Sequence, residues 1–270
     1  MLSNVDIISE LNKNIFIYPL PEEHIRGSSV NLKASEWAWS ITTCQSIVSE
    51  IEGNQIITIP ANDTGLIETE EVIYTSKKIS GTYHSKVSLV SAGMGHIGTT
   101  LDPTWCGNSL IAIHNHSSNP FRIHVGHTFV TIMFYYLKSN TTKINTNTSG
   151  QTEVLTEIGI PAALIPAELR AEWRKNPDDI IRRCNSTNEL AKLKSLRNKF
   201  GLPLYRTKKF LYAIFPIILI LIGVIIWFME PRVQNEMIRA NGILDWYLKV
   251  GLSGVLATYI LLLINHISEG

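Results

Sequence analysis

The sequence is short of charge and of cysteine. Charged residues make up 17% of 270 positions, and 24 Lys and Arg against 23 Asp and Glu leave a net charge of +1. That balance gives no basic footprint, so no nucleic-acid partner is expected. The three cysteines, Cys44, Cys106 and Cys184, are isolated and form no C-x-x-C pair. This excludes a disulfide framework and a cysteine-based structural zinc, and reads as free thiols in a reducing compartment. Residues 1–20 contain Asp6 and Glu10 and no long apolar core, so they do not make a secretory signal. No internal repeat is visible. Gly93-Met94-Gly95-His96-Ile97-Gly98 has glycines at the density of a phosphate loop but opens no helix, which excludes a dinucleotide fingerprint.

What is present is an alternating pattern over residues 81–137. Ser109 to Ile113 alternates, Ser117-Ser118-Asn119-Pro120 turns, Phe121 to Val125 runs on, Gly126 turns again and Phe129 to Phe134 follows. Short period-two runs with Gly, Asn, Pro and Ser between them predict antiparallel strands in a sandwich or barrel. At the centre lies Leu101-Asp102-Pro103-Thr104-Trp105-Cys106-Gly107, a tight turn with one carboxylate and one large aromatic.

Around this core the pattern changes. Ile7, Ile8, Leu11 and Ile15 recur at helical spacing, predicting an amphipathic helix within residues 1–20. Residues 138–153 are polar and low in complexity and read as a loop or linker. From 154 on, Pro166 suits the first turn of a helix holding Ala167, Leu169 and Trp173. Asn176-Pro177-Asp178-Asp179 starts another, and Ser186-Thr187-Asn188-Glu189 fits a capping box. The expected division is therefore 1–20 helix, 21–137 β domain and 138–209 linker and helical connector.

Two apolar stretches follow, residues 210–229 and 248–264. About 20 residues at 1.5 Å each cross a ~30 Å hydrocarbon core, so both are expected to span a membrane. Pro216 and Gly223 are tolerated there, Lys249 is near enough to an end to snorkel, and Trp227, Trp246 and Tyr247 fall near the interfaces. Two buried helices of a soluble protein are the alternative. Lys192, Lys194, Arg197, Lys199, Arg206, Lys208 and Lys209 precede the first span, against only Arg232 and Arg239 between the spans ahead of Lys249. The positive-inside rule then puts the large domain in the cytosol, in a multi-pass membrane protein.

The ordered pieces of residues 25–137, about half the chain, resemble the dCTP deaminase and dUTPase superfamily. Leu101 to Gly107 is similar to that family's Asp-Pro-Gly-aromatic-x-Gly hairpin. His84-Ser85-Lys86 is similar to its Ser-containing phosphate loop, Asn115 to its strand-ending Asn, and Pro120 to Gly126 to its later turn. Pro60, Thr69-Glu70-Glu71 and Gly81 fall in register upstream. Arg26-Gly27-Ser28-Ser29-Val30-Asn31-Leu32 resembles the opening S-x-D-L motif, with Asn31 in place of Asp. The resemblance implies a mainly β fold, a dUTPase-like distorted β-barrel or jelly roll, here followed by the connector and two transmembrane helices. It also implies a pyrimidine deoxynucleoside triphosphate as ligand, Mg2+ on its phosphates, and a homotrimer with sites between subunits.

By the same resemblance, Asp102 orients a water on the α-phosphate and Trp105 lies under the deoxyribose, excluding a 2′-hydroxyl. His84, Ser85 and Lys86 face the phosphates. Each has a plainer reading: Asp102 as a turn starter, Trp105 as core, Ser85 as a strand entrance. Deaminase relatives carry a proton-shuttling Glu at Ala112 and a second Arg at Leu89, so both are lost here, and alanine moves no proton. His114 and His116 share a strand face, a spacing that can bind zinc, but no third ligand is obvious and no metal site is assigned to them. The function expected is a membrane-anchored nucleotide-binding domain, deaminase-deficient and acting as a sensor. The alternatives are an active dUTP pyrophosphatase using Asp102, dCTP deamination, and a β-sandwich interaction module that binds no nucleotide.

Overall fold

The computed structural model describes residues 1–96, 98–145 and 149–200. Both expected membrane spans lie outside the described residues, as does the connector beyond residue 200. Among the described residues no helix is long and apolar enough to cross a membrane.

The chain opens with α1 (Asn4–Glu10), whose Ser3 hydroxyl accepts from the Asp6 amide at 3.2 Å while the Asp6 carboxylate accepts from the Ser3 amide at 3.0 Å. The sequence pattern carried this helix to Ile15. Instead Asn12, with φ 57°, turns the chain out, and Ile15 begins a strand. The β-branched and aromatic run Ile15-Phe16-Ile17-Tyr18 prefers the pleat to the helix. The strands are β1 (Ile15–Tyr18), β2 (Val30–Ser40), β3 (Val48–Ile51), β4 (Asn54–Ile59), β5 (Thr64–Thr69), β6 (Val72–Thr75) and β7 (Ile79–Ser85). After the single-turn α2 (Val87–Val90) come β8 (Met94–His96), β9 (Thr100–Leu101), β10 (Cys106–Gly107), β11 (Leu110–Asn115), β12 (Phe121–His124) and β13 (Thr128–Tyr136).

Among the described residues these strands pair antiparallel throughout. They make a seven-stranded sheet in the order β8-β11-β5-β2-β13-β7-β9 and two three-stranded sheets, β1-β6-β10 and β12-β4-β3. One apolar core joins all three: Ile17 and Ile73 from the first small sheet, Ile57 and Ile123 from the other, and Leu32, Ile67, Ile111 and Phe134 from the large one. The molecule is thus mainly β, with sheets curled around a common centre. The expected alternation holds in β11, where Ile111 and Ile113 face this core while Leu110, Ala112 and His114 face away. The Gly93–Gly98 run enters β8 rather than a helix.

The outward face of β5 and β11 is not left to solvent. Part of the stretch read as a polar linker docks there: Ser149 and Gly150 are buried, the Ser149 hydroxyl accepts from the Asn108 amide at 3.0 Å, and the Gly150 amide donates to the Asn108 carbonyl at 3.2 Å. Then come α3 (Thr152–Glu157), two short 3-10 turns (Ala162–Leu164 and Ala167–Arg170), α4 (Glu172–Lys175), α5 (Pro177–Cys184) and α6 (Thr187–Phe200). Leu155, Ile160, Ile165 and Leu169 form a second apolar cluster with Trp39 and Leu66, against which Leu110 and Ala112 are packed. The Trp39 indole N–H donates to the Leu164 carbonyl at 3.1 Å. In α5, capped by Asn176 with Pro177 in its first turn, Ile180 and Cys184 pack on Phe16 and Val72. Lys192 of α6 donates to the Leu20 carbonyl at 2.7 Å, fixing that helix to the N-terminal segment.

Candidate functional site

The hairpin residues come first. Asp102 is exposed in the turn between β9 and β10. Its carbonyl accepts from the Trp105 amide at 3.2 Å and from the Thr75 hydroxyl at 3.4 Å, which closes the turn. Its carboxylate accepts from the Asn145 side-chain amide at 3.4 Å. The Asn145 backbone amide also donates to the Thr104 hydroxyl at 2.8 Å, so the segment after β13 lies along the hairpin. Trp105 is 5% exposed and belongs to the main core, with its indole N–H donating to the Gly107 carbonyl at 3.1 Å. It supports the hairpin from beneath and presents almost no free face. Gly107, at φ 142°, has no room for a Cβ, which would fall 2.4 Å from that of Ser149.

The phosphate-loop residues lie elsewhere. His84 and Ser85 end β7, and Lys86 caps α2. His84 is exposed, with Nε2 2.8 Å from the Thr82 hydroxyl. It pairs across the sheet with Thr131, which pairs with Asn31 and donates to the Asn31 side-chain carbonyl at 2.9 Å. Lys86 donates to the hydroxyl of Thr128, and burial together with the nearby Arg26 charge lowers its pKa. Leu101 pairs with Gly81, four residues from Ser85 along the same strand, or about 13 Å at the strand rise. A single chain therefore does not bring Asp102 together with Ser85 and Lys86.

Three basic groups beside Lys86 carried no distinct sequence signal as site residues: His24, Arg26 and Lys33. His24 is 8% exposed, and burial, then the Lys33 charge, lower its pKa; Glu23 opposes them, and Lys86 and Arg26 add smaller pulls downward. Beneath it is Glu71, fully buried. One Glu71 oxygen accepts from the Lys33 amide at 2.9 Å and the other lies 3.9 Å from His24 Nδ1. Burial pushes the Glu71 carboxyl up to about 8. With one pKa lowered and the other raised, the two groups meet as neutral partners rather than as an ion pair.

The covered face holds a third group. Leu110 pairs with Glu68 and Ala112 with Leu66, so Glu68 and Ala112 share the face under the connector. Glu68 is completely buried, and among the described residues neither carboxyl oxygen has a hydrogen-bond partner. Burial pushes its pKa up to about 8, partly opposed by Arg174. The Arg174 guanidinium lies over the rings of Trp37 at 5.0 Å and Trp173 at 4.5 Å and donates to the Asn108 side-chain carbonyl at 2.8 Å. Within the run Ile67-Glu68-Thr69-Glu70-Glu71, alternation was the available signal, since Glu68 has the parity of Leu66. His114 and His116 do meet, with ring centroids 4.3 Å apart, and the Thr64 hydroxyl lies 2.9 Å from His114 Nδ1. Among the described residues no cluster of three His, Cys, Asp or Glu could hold a metal.

Comparison with known proteins matches residues 1–137 to the family described as dCTP deaminase-like. The dCTP deaminase of Pyrococcus furiosus is 26% identical over 129 residues, covering 48% of this chain and 80% of that protein. The dCTP deaminase of Pyrococcus horikoshii is 28% identical over the same length and the same shares. Among solved structures, the 2′-deoxycytidine 5′-triphosphate deaminase from Agrobacterium tumefaciens aligns with a TM-score of 0.40 at 11% identity, over 49% of this chain and 47% of that one. The matched part thus spans under half of the Agrobacterium protein. The EIAV dUTPase aligns with a TM-score of 0.36 at 17% identity, over 48% of this chain and 93% of that one. On the family match over half its length, the chain belongs to the dCTP deaminase-like family.

Proposed function

We propose that the chain binds a pyrimidine deoxynucleoside triphosphate on its polar β2-β13-β7 face and does not deaminate it in the arrangement described. One observation carries this reading. At position 112, where the resemblance calls for a proton-shuttling glutamate, the side chain is a methyl packed against the apolar connector. Deamination needs a group there that takes and returns protons, and a methyl does neither.

Binding needs less, and the polar face supplies it. Lys86 brings an ammonium, Ser85 a hydroxyl and His84 a ring N–H, and Arg26 stands close enough to lower the Lys86 pKa. Cationic donors around phosphate oxygens form the stronger, charge-assisted class of hydrogen bond. Asp102 is an exposed carboxylate, and one carboxylate with phosphate oxygens is an ordinary setting for Mg2+. Mg2+ held there would neutralise phosphate charge. Trp105 acts on sugar selection by holding the hairpin in shape. Because Asp102 and Lys86 are far apart in one chain, a complete site takes the hairpin of a second copy, in a homotrimer. With residues 210–229 and 248–264 as two membrane spans and the β domain in the cytosol, such a module senses the nucleotide and passes its bound state through the connector.

The test is titration calorimetry of the full chain with dUTP, dCTP, dTTP, dATP and UTP, with and without magnesium, each mixture then assayed for products. Saturable binding of one deoxynucleotide with no product is the expected result, and equal affinity for UTP and dUTP would count against the role of Trp105. A second reading, a dUTP pyrophosphatase, is favoured by the exposed Asp102 carboxylate alone. It requires magnesium-dependent pyrophosphate release from dUTP that disappears in Asp102→Ala.

A further inference from the structure

A run of contacts ties the Lys86 edge to a buried histidine. Lys33 of β2 pairs with Thr128 of β13, and Lys86 donates to the hydroxyl and, at 3.4 Å, to the carbonyl of that same Thr128. The Lys33 amide donates to one oxygen of Glu71, and the other oxygen lies 3.9 Å from His24 Nδ1. His24 Nδ1 and that second oxygen are both buried without a hydrogen-bond partner among the described residues. Two unpaired polar atoms this close need only a small approach to bond once one of them carries a proton for the other. The charges around them are unbalanced. His24 is faced by Glu23 from its own turn (Glu22–His24), Arg26 from the loop ahead of β2, Lys33 from β2, Lys86 from the cap of α2 and Glu71 from the turn between β5 and β6. Lys33 is answered by Glu70 at 3.4 Å. Among the described residues neither Lys86 nor the exposed Arg26 forms an ion pair with a carboxylate.

We propose that His24 is a proton-linked member of the phosphate site: an anion on Lys86 and Arg26 draws a proton from solvent to His24 Nδ1, which then donates to Glu71, so the ligand binds more tightly as pH falls. This rests on the phosphate part of the nucleotide reading above and adds its regulation by pH. His24 is buried and acts through the charges of Lys86 and Arg26 rather than by touching phosphate, which makes it a positioning residue. In the free protein, burial and then the surrounding cations hold its pKa below the ordinary 6.5. Phosphate oxygens offset two of those cations, so the pKa climbs in the complex. Between the two values the complex holds a proton that the free protein does not. Affinity therefore rises as pH falls through that window, by at most about tenfold per pH unit for one proton. Glu71, pushed up to about 8, stays protonated below pH 7 with or without the anion, so the proton gained there belongs to His24. The Glu71 carbonyl oxygen remains free to accept from it.

The experiment uses the full chain and two probes, dUTP and inorganic tripolyphosphate, without magnesium. Proton uptake on binding is read by calorimetry in buffers of different ionisation enthalpy. The protonation of His24 itself is read in the wild type by C2–H exchange and mass spectrometry, which needs no variant. At pH 6 wild type should take up about half a proton more per site than His24→Gln, and the probe's own titration cancels in that difference. From pH 7.5 to pH 5.5 wild-type affinity should gain about tenfold on His24→Gln. Saturating dUTP should raise the exchange midpoint of His24 by about one pH unit. Three results overturn the proposal while the nucleotide reading stands: equal uptake in wild type and His24→Gln, a His24 midpoint that binding leaves unmoved, or uptake lost in His84→Gln and kept in His24→Gln. Tripolyphosphate bound with this uptake, but no binding of dUTP, supports the proposal and brings down the nucleotide reading. Binding of neither probe overturns both.

Discussion

Two regions on the outward side of one seven-stranded sheet are treated in opposite ways. Across β5 and β11, Leu66, Glu68, Leu110 and Ala112 lie under a connector that contributes four buried apolar side chains. Across β2, β13 and β7, Thr131 is half-buried, His84 is exposed, and basic groups gather at the edge around Lys86. The first face has exchanged water for packing, which strengthens the fold and shuts away the carboxyl. The second keeps its polarity and is the face a charged ligand can reach. The covered region and the polar one lie side by side on the outward side of one seven-stranded sheet, with β2 between them.

The sharpest way to break this comparison is to cut the connector's packing. Leu169→Ala removes a fully buried side chain and should lower stability by about 2–5 kcal/mol, read from chemical denaturation. On the open face, exposed His84→Ala should stay within about 0.5 kcal/mol. Similar costs at the two positions would mean that the connector does not close its face. The next effect is on binding rather than folding. Lys86→Ala removes a cationic donor to phosphate, worth about 1.5–3 kcal/mol in a charge-assisted hydrogen bond, or roughly a tenfold to hundredfold loss of nucleotide affinity by calorimetry. Its melting temperature should barely move, because Lys86 is only half-buried. A variant that loses stability and keeps its affinity would place the ligand elsewhere.

How much of this was legible depends on the reach of each signal. Strands β11 to β13 and the turns between them follow from short-range alternation and from Gly and Pro, and they lie where the pattern put them. Ile15 was misassigned because a spacing of four from Leu11 fits a helix, while the left-handed Asn12 between them has no periodic mark. The buried end of the polar segment was invisible for another reason. Ser149 and Gly150 are small and polar, and only their long-range partners, Asn108 and Glu68, show that they seal a surface. The five candidate residues, His84, Ser85, Lys86, Asp102 and Trp105, could be named from the hairpin and loop motifs. That Asp102 and Lys86 stand apart on one strand pair, and that Trp105 is committed to the core, follows from three-dimensional register that no local pattern encodes.

The effect most specific to the covered face is one of pH, and it depends on sign. The Glu68 carboxyl is pushed up to about 8 in the fold, while in the unfolded chain it titrates near its ordinary value of 4.5. Between those values the folded state holds a proton that the unfolded state has lost. Its contribution to stability is therefore complete below about pH 4.5, falls as pH rises toward 8, and is flat above, with a limiting slope of about 1.4 kcal/mol per pH unit for one proton. Glu71, pushed up to about 8 by its own burial, adds a second slope of the same sign. Wild-type stability alone cannot separate the two, but Glu68→Gln can. Glutamine does not titrate, so any loss from its amide in the buried site is a constant offset. The difference between variant and wild type should shift in favour of the variant from pH 5 to pH 8, measured as melting temperatures across that range. Glu71→Gln should show the same trend from beneath the basic edge of the other face. A difference that stays constant with pH for Glu68→Gln would mean the carboxyl is already ionised in the fold. The connector would then close over a charge held by Arg174 rather than over a proton.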